Sequence, residues 1–419
     1  MPDSRARPLV LRLLNGLGRA ADSLGLPLVR LEIVDLLQRA SRRARLEDFG
    51  DGAFREPLAI LVAGLNEEAA LTLLGRVIAR TDLVRLLENR LHMVAARKAH
   101  PEITAGKIER PLFIVGLPRT GTTILHELMA QDPANRVPMT WEVMHVHPAP
   151  EKATYETDPR IAAAEKQLAE VDRLIPGFKA MHPMGARLPQ ECVALTAHDF
   201  ASMVFTTTHD LPTYQAWLDH HDLRWVYASH RRQLQYLQWR CPAERWVLKS
   251  PGHLWALDAL LAEYPDARIV QTHRDPLRVV ASLASLVAVL RSMASDRIDR
   301  NAIGKEWTER LAAGLAHAMV VRDRRPAGAP PVFDMHFQEL IRDEIGMVRR
   351  IYAHFDLELT AEAEGGMRRF LAANPKYKHG AHRYTLVDAG LDPATERARF
   401  RAYQERHQVA SEPPSSVPS

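Results

Sequence analysis

Pro111-Leu112-Phe113-Ile114-Val115-Gly116-Leu117-Pro118-Arg119-Thr120-Gly121-Thr122-Thr123 is the stretch of the sequence that decides the fold. The apolar run at 112–115 predicts a buried strand in the middle of a parallel sheet. Gly116 and Gly121 predict a tight loop in which the backbone can turn and approach a ligand closely. Thr122 and Thr123 open a predicted helix, whose free N–H groups favour an anion, most often phosphate.

The spacing of Gly116 and Gly121 is nearly that of a P-loop, G-x-x-x-x-G-K-[ST]. Thr122 occupies the position of the P-loop lysine, and the positive charge has moved inside the loop, to Arg119. A nucleoside triphosphatase without that lysine loses its charge on the β- and γ-phosphates. The loop therefore predicts a site for a smaller anionic group. An ordinary strand-turn-helix corner is the alternative, but turn chemistry alone does not explain an arginine and two threonines beside two glycines.

Composition limits the class of protein. The chain has 419 residues, of which 46% are hydrophobic and 25% charged, so it is long enough for two or three structural units. A net charge of +4 suits an anionic small ligand and is too weak to indicate nucleic acid. The two cysteines, Cys192 and Cys241, predict no disulfide framework and a reducing compartment. With no apolar run of membrane-spanning length, we expect a soluble, cytoplasmic protein.

Hydrophobic periodicity divides the chain into three predicted parts. Residues 1–108 read as a helical N-terminal cap, residues 109–405 as an α/β domain with a helical insertion at about 137–244, and residues 406–419 as a disordered tail. Helical pieces of the insertion are expected near 161–174, 191–206 and 224–238. The basic run Arg39, Arg42, Arg43 and Arg45 is a solvated helix face or a contact with an anionic membrane surface or lipid substrate.

The most regular part of the α/β domain is a predicted βαβ unit. Strands at 245–248 and 268–272 flank a helix at 253–264, which implies a parallel pair with a right-handed crossover, and a further strand is expected at 332–335. Ligands of such sheets bind outside the carboxyl ends of the strands. That rule places the loops after residues 115, 248 and 272 on one edge.

A second anion site is predicted where the strand at 268–272 runs into His273-Arg274-Asp275-Pro276. Asp275 suits a helix N-cap and Pro276 the first helical position. Ser282 lies six residues past Pro276, about 9 Å along the helix, so Arg274 and Ser282 can reach one anion. The alternative is a capped helix with a surface arginine.

Three motifs together resemble the sulfotransferases that use 3′-phosphoadenosine 5′-phosphosulfate. These motifs are Gly-Leu-Pro-Arg-Thr-Gly-Thr-Thr at 116–123, Leu-Lys-Ser-Pro at 248–251 and His-Arg-Asp-Pro…Ser at 273–282. The match is closest to the bacterial sulfotransferase family and, in motif chemistry, to tyrosylprotein sulfotransferases, and it covers roughly residues 108 to 390. It implies a P-loop-like three-layer α/β sandwich with a central parallel sheet.

The resemblance assigns roles to residues of this chain. The 5′-phosphosulfate site would be formed by Arg119, Thr120, Gly121, Thr122 and Thr123. The 3′-phosphate site would be formed by Arg274 and Ser282, and Lys378 and Arg383 would belong to a basic loop that closes on the nucleotide. Lys249 would lie near the leaving oxygen.

The resemblance also implies a mechanism, which is in-line transfer of the sulfuryl group to an acceptor hydroxyl without a metal. Animal cytosolic sulfotransferases usually carry lysine where this chain has Arg119, and arginine hardly donates a proton, so the acid role passes to Lys249. The base that takes the acceptor's proton is predicted to be Glu142. His145, His147 and His198 are substitutes.

Two other functions remain open at this level. A P-loop kinase needs a lysine at position 122 and a Mg²⁺-binding carboxylate at a strand end. A non-catalytic nucleotide-binding protein would use Arg119 and Arg274 alone. The acceptor is expected to be a lipid, sterol-like, quinone-like or phenolic molecule, because the segment at about 137–244 is rich in aromatic residues and methionine. Peripheral contact with a membrane fits such an acceptor.

Overall fold

The structure is a computed structural model that describes residues 15, 16, 18, 28–174, 185–374 and 386–413. The strands are β1 (Leu112–Gly116), β2 (Asn135–Arg136), β3 (Arg245–Lys249), β4 (Arg268–His273) and β5 (Val332–His336). The helices before β3 are α1 (Ile33–Ala44), α2 (Arg55–Glu67), α3 (Leu73–Ala99), α4 (Glu102–Ala105), α5 (Thr122–Met129), α6 (Thr140–Met144), α7 (Pro159–Leu174), α8 (Cys192–Thr196), α9 (Val204–Thr208), α10 (Pro212–His220) and α11 (Arg224–Gln238). Those after it are α12 (Leu257–Glu263), α13 (Pro276–Arg291), α14 (Arg300–Asp323), α15 (Phe337–Arg342), α16 (Glu344–His354), α17 (Ala361–Ala373) and α18 (Pro393–His407). Short 3₁₀ helices lie at Gly52–Phe54, Lys152–Thr157, Ala197–Asp199, Pro251–Ala256 and Val387–Ala389.

The strands form one parallel sheet in the order β2-β3-β1-β4-β5. β1 lies at its centre, and Leu112 pairs with Val247 on one side and with Arg268 on the other. Every residue of β1 is buried, as its unbroken apolar run predicted. Since β3 and β4 are its direct neighbours, the loops that follow all three strands meet at one edge of the sheet. The predicted parallel sheet is confirmed, whereas the two-residue strand β2 gave no sequence signal.

Helices cover both faces of the sheet, because alternate side chains of β1 point to opposite cores. Phe113 and Val115 pack in a core with α11 and α12. Leu112 and Ile114 pack in a second core with α5, α16 and α17. This arrangement of helices, sheet and helices is the three-layer sandwich that the sequence predicted.

Two predicted helices differ from those observed. The helix expected at 253–264 begins as a 3₁₀ helix at Pro251 and becomes α-helical at Leu257. The helix expected at 191–206 is broken into α8, a 3₁₀ turn and α9, because Phe200 takes a left-handed backbone conformation with φ of 56°.

The N-terminal helices share a core with the middle of the chain. The rings of Phe54 and Phe200 pack at a tilt with centroids 6.1 Å apart, and Tyr214 and Trp217 are buried in the same cluster. Most aromatic side chains of the segment at 137–244 that the structure describes are thus packing residues, while others, including Phe178, lie outside the described residues. The boundary at residue 108 stays a prediction.

Candidate active site

The loop between β1 and α5 has the backbone of an anion-binding turn. Arg119 and Gly121 both have positive φ, 66° and 87°, and the second is the residue before the helix start. A Cβ atom on Gly116 would lie 2.0 Å from Thr272 Oγ1, so only glycine lets β1 and β4 approach this closely. Thr120 Oγ1 donates to the Leu117 carbonyl at 2.7 Å, which ties the loop to itself.

The structure brings the two predicted anion-binding arginines together. Arg119 Nε donates to Ser282 Oγ at 3.1 Å, and Arg274 Nη1 donates to the Arg119 carbonyl at 2.9 Å. The Arg274 guanidinium lies over the Phe337 ring, 4.0 Å from its centroid, which fixes its plane. Two loops that follow adjacent strands thereby present their positive charges at the same sheet edge, beside the N-terminus of α5.

Arg278 is a further cation at this edge that the sequence reasoning missed. It lies in the first turn of α13, four residues after Arg274 and one helical turn before Ser282, so Arg278 and Ser282 share one side of the helix. Its Nε is a buried donor with no hydrogen-bond acceptor among the described residues. The four-residue spacing was a readable signal, since Arg274 and Ser282 had already been predicted to meet one anion.

The C-terminal segment reaches this cluster. α18 ends at His407, residues 408–413 are described, and Val409 is buried. Glu412 accepts two hydrogen bonds from Arg274, at 2.8 Å from Nε and 3.0 Å from Nη2. The sequence predicted a disordered tail from residue 406, and the structure differs from that prediction as far as residue 413.

Lys249 lies at the end of β3 and is 2% exposed. Its ammonium group donates to Glu191 Oε1, in a close ion pair, and to Thr123 Oγ1 at 3.4 Å. The lysine therefore faces the first turn of α5, and its position near the leaving oxygen, which the resemblance implies, stays a prediction. Glu191 is the carboxylate nearest to this lysine in the described structure, and the sequence reasoning did not select it.

Main-chain hydrogen bonds between two segments position Glu191. Leu188 O accepts from Thr140 N at 3.0 Å, and Gln190 N donates to Pro138 O at 2.7 Å. Glu191 then precedes the first residue of α8 in extended conformation. Since 58 residues separate it from Lys249, nothing in the local sequence indicated the pair.

Glu142, the predicted base, has a different environment. Its side chain is fully buried, and it accepts from Arg136 at 2.6 Å and 3.2 Å and from Met139 N at 2.9 Å. Arg136 is also buried; burial lowers the pKa of its guanidinium, but the charge and hydrogen bonds of Glu142 outweigh this effect and raise it. Glu142 thus neutralises a buried cation and caps α6, and the structure does not bring it to Lys249 or to the loop.

The substitute bases are also engaged away from the loop. His198 contacts Asn89 at 3.0 Å and the Leu195 carbonyl at 3.2 Å, and burial lowers its pKa to about 3. His147 bonds to the Tyr236 hydroxyl at 3.1 Å, and burial lowers its pKa as it does that of His145. The predicted nucleotide contacts of Lys378 and Arg383 lie outside the described residues.

A cluster of metal-ligand types lies behind the arginine motif. His273, Asp334 and His407 bring ligand atoms within 4.8 Å of one another. Arg322 donates to both oxygens of Asp334, at 2.6 Å and 2.9 Å, and His273 bonds to the same carboxylate at 2.7 Å. Burial raises the pKa of Asp334, but these hydrogen bonds outweigh it and hold the pKa well below its usual value. Both oxygens of the Asp334 carboxylate are therefore occupied by hydrogen bonds to Arg322 and His273.

A small apolar cleft, with a cavity volume of about 50 Å³, lies next to the Lys249–Glu191 pair. Its walls include Cys192 and Ser250, the residues that directly follow the two members of the pair. Its apolar lining includes Val193, Met203, Leu218, Leu223, Val226 and Trp255. Apolar walls with a few placed polar groups are typical of small-molecule sites, and a cavity of this volume admits only one end of such a molecule. None of the helices that the structure describes is long and apolar enough to cross a membrane.

Comparison with known proteins identifies the family of this chain. Residues 111–361 match the model of the sulfotransferase family. Crystal structures of sulfotransferase STF1 from Mycobacterium tuberculosis and STF9 from Mycobacterium avium are 33% and 30% identical to the chain, with TM-scores of 0.79 and 0.83. They cover 89% and 90% of this chain and 99% and 97% of their own.

A relative whose name states its substrate is less similar in sequence. Omega-hydroxy-beta-dihydromenaquinone-9 sulfotransferase Stf3 of Mycobacterium bovis is 25% identical over 300 residues, which are 67% of this chain and 71% of the relative. The matched family region contains all three sequence motifs and the Lys249–Glu191 pair. The chain belongs to the sulfotransferase family.

Proposed function

We propose that this enzyme transfers the sulfuryl group of 3′-phosphoadenosine 5′-phosphosulfate to a hydroxyl group of a small, lipid-like acceptor. The observation that carries the proposal is the convergence of Arg119, Arg274 and Ser282 at one sheet edge, through contacts of 3.1 Å and 2.9 Å. Two separate cationic groups on one side of a glycine-bounded loop suit a donor that carries anionic groups at both its 5′ and 3′ positions.

The donor site fits the residues present. Arg119 and the amides of residues 120–123 would hold the 5′-phosphosulfate at the start of α5. Arg274 and Ser282 would hold the 3′-phosphate. The buried Nε of Arg278, which has no acceptor among the described residues, supports this assignment, because a phosphate offers three oxygens to a cluster of donors.

The chemistry is a single displacement in which the chain positions groups and neutralises charge. The acceptor oxygen bonds to sulfur as the bond from sulfur to the bridging phosphate oxygen breaks. Lys249 would stabilise the charge on that leaving oxygen. The proton of the acceptor hydroxyl would pass to Glu191, whose side chain is 19% exposed beside Lys249 while Glu142 has no exposure.

The acceptor is proposed to enter the apolar cleft. Its apolar lining would hold one end of a hydrocarbon or quinone-like body. The hydroxyl would then lie near the Lys249–Glu191 pair, because Cys192 and Ser250, the next residues along the chain, line the cleft. The relatives named for omega-hydroxy-beta-dihydromenaquinone-9 support an acceptor of this class. A cytoplasmic location stays a prediction from the sequence.

Calorimetry tests the donor. Adenosine 3′,5′-bisphosphate should bind to the wild-type protein, and ATP should bind at least ten-fold more weakly, because the loop lacks the lysine for the β- and γ-phosphates. Arg119→Ala and Arg274→Ala should each weaken binding of the bisphosphate by roughly ten- to a hundred-fold. Tighter binding of ATP would favour the kinase alternative.

A sulfate-transfer assay with Glu191→Gln tests the base. Turnover should fall by roughly a hundred-fold or more, since general-base catalysis contributes about that factor. The bisphosphate affinity should change little, because Glu191 is assigned to the acceptor's proton. Glu165→Gln serves as the matched control; this carboxylate of α7 accepts from Ala186 N at 2.7 Å, at the start of the same segment. Equal turnover of Glu191→Gln and wild type would remove Glu191 from the mechanism, and bisphosphate binding without any sulfate transfer would favour a non-catalytic nucleotide-binding protein.

A further inference from the structure

The C-terminal segment places a carboxylate on the arginine assigned to the nucleotide. Glu412 accepts from Arg274 Nε at 2.8 Å and from Nη2 at 3.0 Å, the planar two-bond contact typical of arginine with an anion. Both side chains of this pair are 14% exposed. The contact therefore lies in a partly desolvated position, where a charge pair is stronger than on an open surface.

The position of Glu412 is fixed by more than its side chain. Its backbone N–H donates to Asp275 at 2.7 Å, and Asp275 is held by Arg397 through contacts of 2.5 Å and 3.0 Å. Upstream, Gln404 donates to the Val409 carbonyl at 3.1 Å, and the Val409 side chain is buried. The segment is thus held at two points, by Asp275 at the N-terminus of α13 and by Gln404 of α18.

The carboxylate satisfies this cation cluster incompletely. Arg278 Nε lies 3.8 Å from Glu412 Oε2, beyond hydrogen-bond distance, and is a buried donor without an acceptor in the described part of the chain. A carboxylate has two oxygens in a plane, and both are directed at Arg274. A phosphate has three terminal oxygens in a tetrahedron and can therefore serve more donors. The cluster of Arg274 and Arg278 is therefore better suited to a phosphate group than to the Glu412 carboxylate.

We propose that Glu412 is an internal competitor of the nucleotide, which occupies the 3′-phosphate position until the nucleotide displaces it. This inference rests on the proposed function, which puts the 3′-phosphate on Arg274. Two anions cannot share one arginine without repulsion, so the nucleotide must break the Glu412 contact as it binds. The apparent affinity of the nucleotide is its intrinsic affinity multiplied by the fraction of protein in which the segment is already displaced.

Calorimetry with two ligands tests the competition. Glu412→Gln should bind adenosine 3′,5′-bisphosphate roughly ten-fold more tightly than the wild-type protein, because the neutral amide holds Arg274 less strongly. Adenosine 5′-monophosphate lacks the 3′-phosphate, and its affinity should change less than about two-fold. A chain that ends at residue 410 should show the same selective gain. Glu405→Gln, an exposed carboxylate of α18, is the control for charge and should match the wild type.

The outcomes separate this inference from the function on which it rests. If Arg274→Ala weakens bisphosphate binding but Glu412→Gln does not tighten it, the competition is wrong and the nucleotide site stands. If Glu412→Gln tightens both ligands equally, the effect does not come from the 3′-phosphate and the proposal is overturned. If Arg274→Ala leaves bisphosphate binding unchanged, the nucleotide lies elsewhere and both proposals fall.

Discussion

At the scale of single residues, Glu142 shows how burial decides the task of a carboxylate. The resemblance made it the expected base, yet its oxygens are bonded to Arg136 and Met139 N inside the protein. A base must reach the proton that it takes. A carboxylate that balances a buried guanidinium cannot be protonated without leaving that cation alone in the interior.

Glu142→Gln should therefore act on stability. The amide keeps hydrogen-bonding capacity but not the charge, so Arg136 becomes an uncompensated buried cation, and we expect a loss of roughly 3–5 kcal/mol in the free energy of unfolding. Urea unfolding measures this. The control is Glu151→Gln, whose exposed pair with Arg240 should contribute less than about 1 kcal/mol. A folded Glu142→Gln protein with wild-type stability and lost turnover would return Glu142 to the mechanism.

At the scale of elements, the sequence predicted those features that depend on neighbours along the chain. The bounds of α11 match the prediction, and β1 and β4 extend only one residue beyond it. These elements have strong periodic patterns or continuous apolar runs. The convergence of the loops at one edge followed from the rule for parallel sheets, so the approach of the Arg119 and Arg274 loops, 155 residues apart, was foreseeable.

The missed parts of the site depend on distant pairings. Glu191 meets Lys249 across 58 residues, and Glu412 meets Arg274 across 138 residues. No periodic pattern links such positions, because they are joined by irregular segments whose path is set by main-chain hydrogen bonds. The Glu142–Arg136 pair is close in sequence, but spacing alone does not show that both side chains point into the core.

The N-terminus of α13 offers a test at this scale. Asp275 accepts from Leu277 N at 3.1 Å, from Arg397 and from Glu412 N. Asp275→Ala should lose the helix cap and these partners together, with a loss of roughly 2–3 kcal/mol in the free energy of unfolding. Chemical denaturation gives the value.

The cap of α14 is the matched control. Asp299 accepts from Asn301 N and Ala302 N, both at 3.0 Å, and its carboxylate forms no ion pair with another described residue. Asp299→Ala should lose about 1 kcal/mol, the usual contribution of a cap. An equal loss in the two variants would show that the Arg397 and Glu412 contacts of Asp275 contribute nothing to stability.

At the scale of the whole molecule, buried histidines in several parts of the fold make its stability depend on pH. His126 of α5, His198 beside the N-terminal helices and His230 of α11 lie in different packing regions, and all three are buried. Burial is the main cause that lowers the pKa of each to about 3. All three stay neutral in the folded protein near pH 5, whereas in the unfolded chain they titrate near 6.5.

The sign of the effect follows from proton counting. Between pH 6.5 and about 3 the unfolded chain binds protons at these histidines that the folded protein does not, so stability falls as pH falls through this window. At pH 5 each histidine lowers the free energy of unfolding by about 2 kcal/mol relative to neutral pH. Three such groups would remove about 6 kcal/mol, a large share of the 5–15 kcal/mol typical of folded proteins.

His198→Gln is expected to reduce this pH dependence. Urea unfolding between pH 5 and pH 7 should show a slope of free energy against pH that is smaller by about 1.3 kcal/mol per pH unit near pH 5, because one proton fewer is bound on unfolding. The slope separates this effect from the loss of the Asn89 contact, which changes stability equally at both ends of the range. His220→Gln, at an exposed position of α10, should keep the wild-type slope. An unchanged slope in His198→Gln would mean that His198 is protonated in the folded protein or that its surroundings open to water well above pH 3.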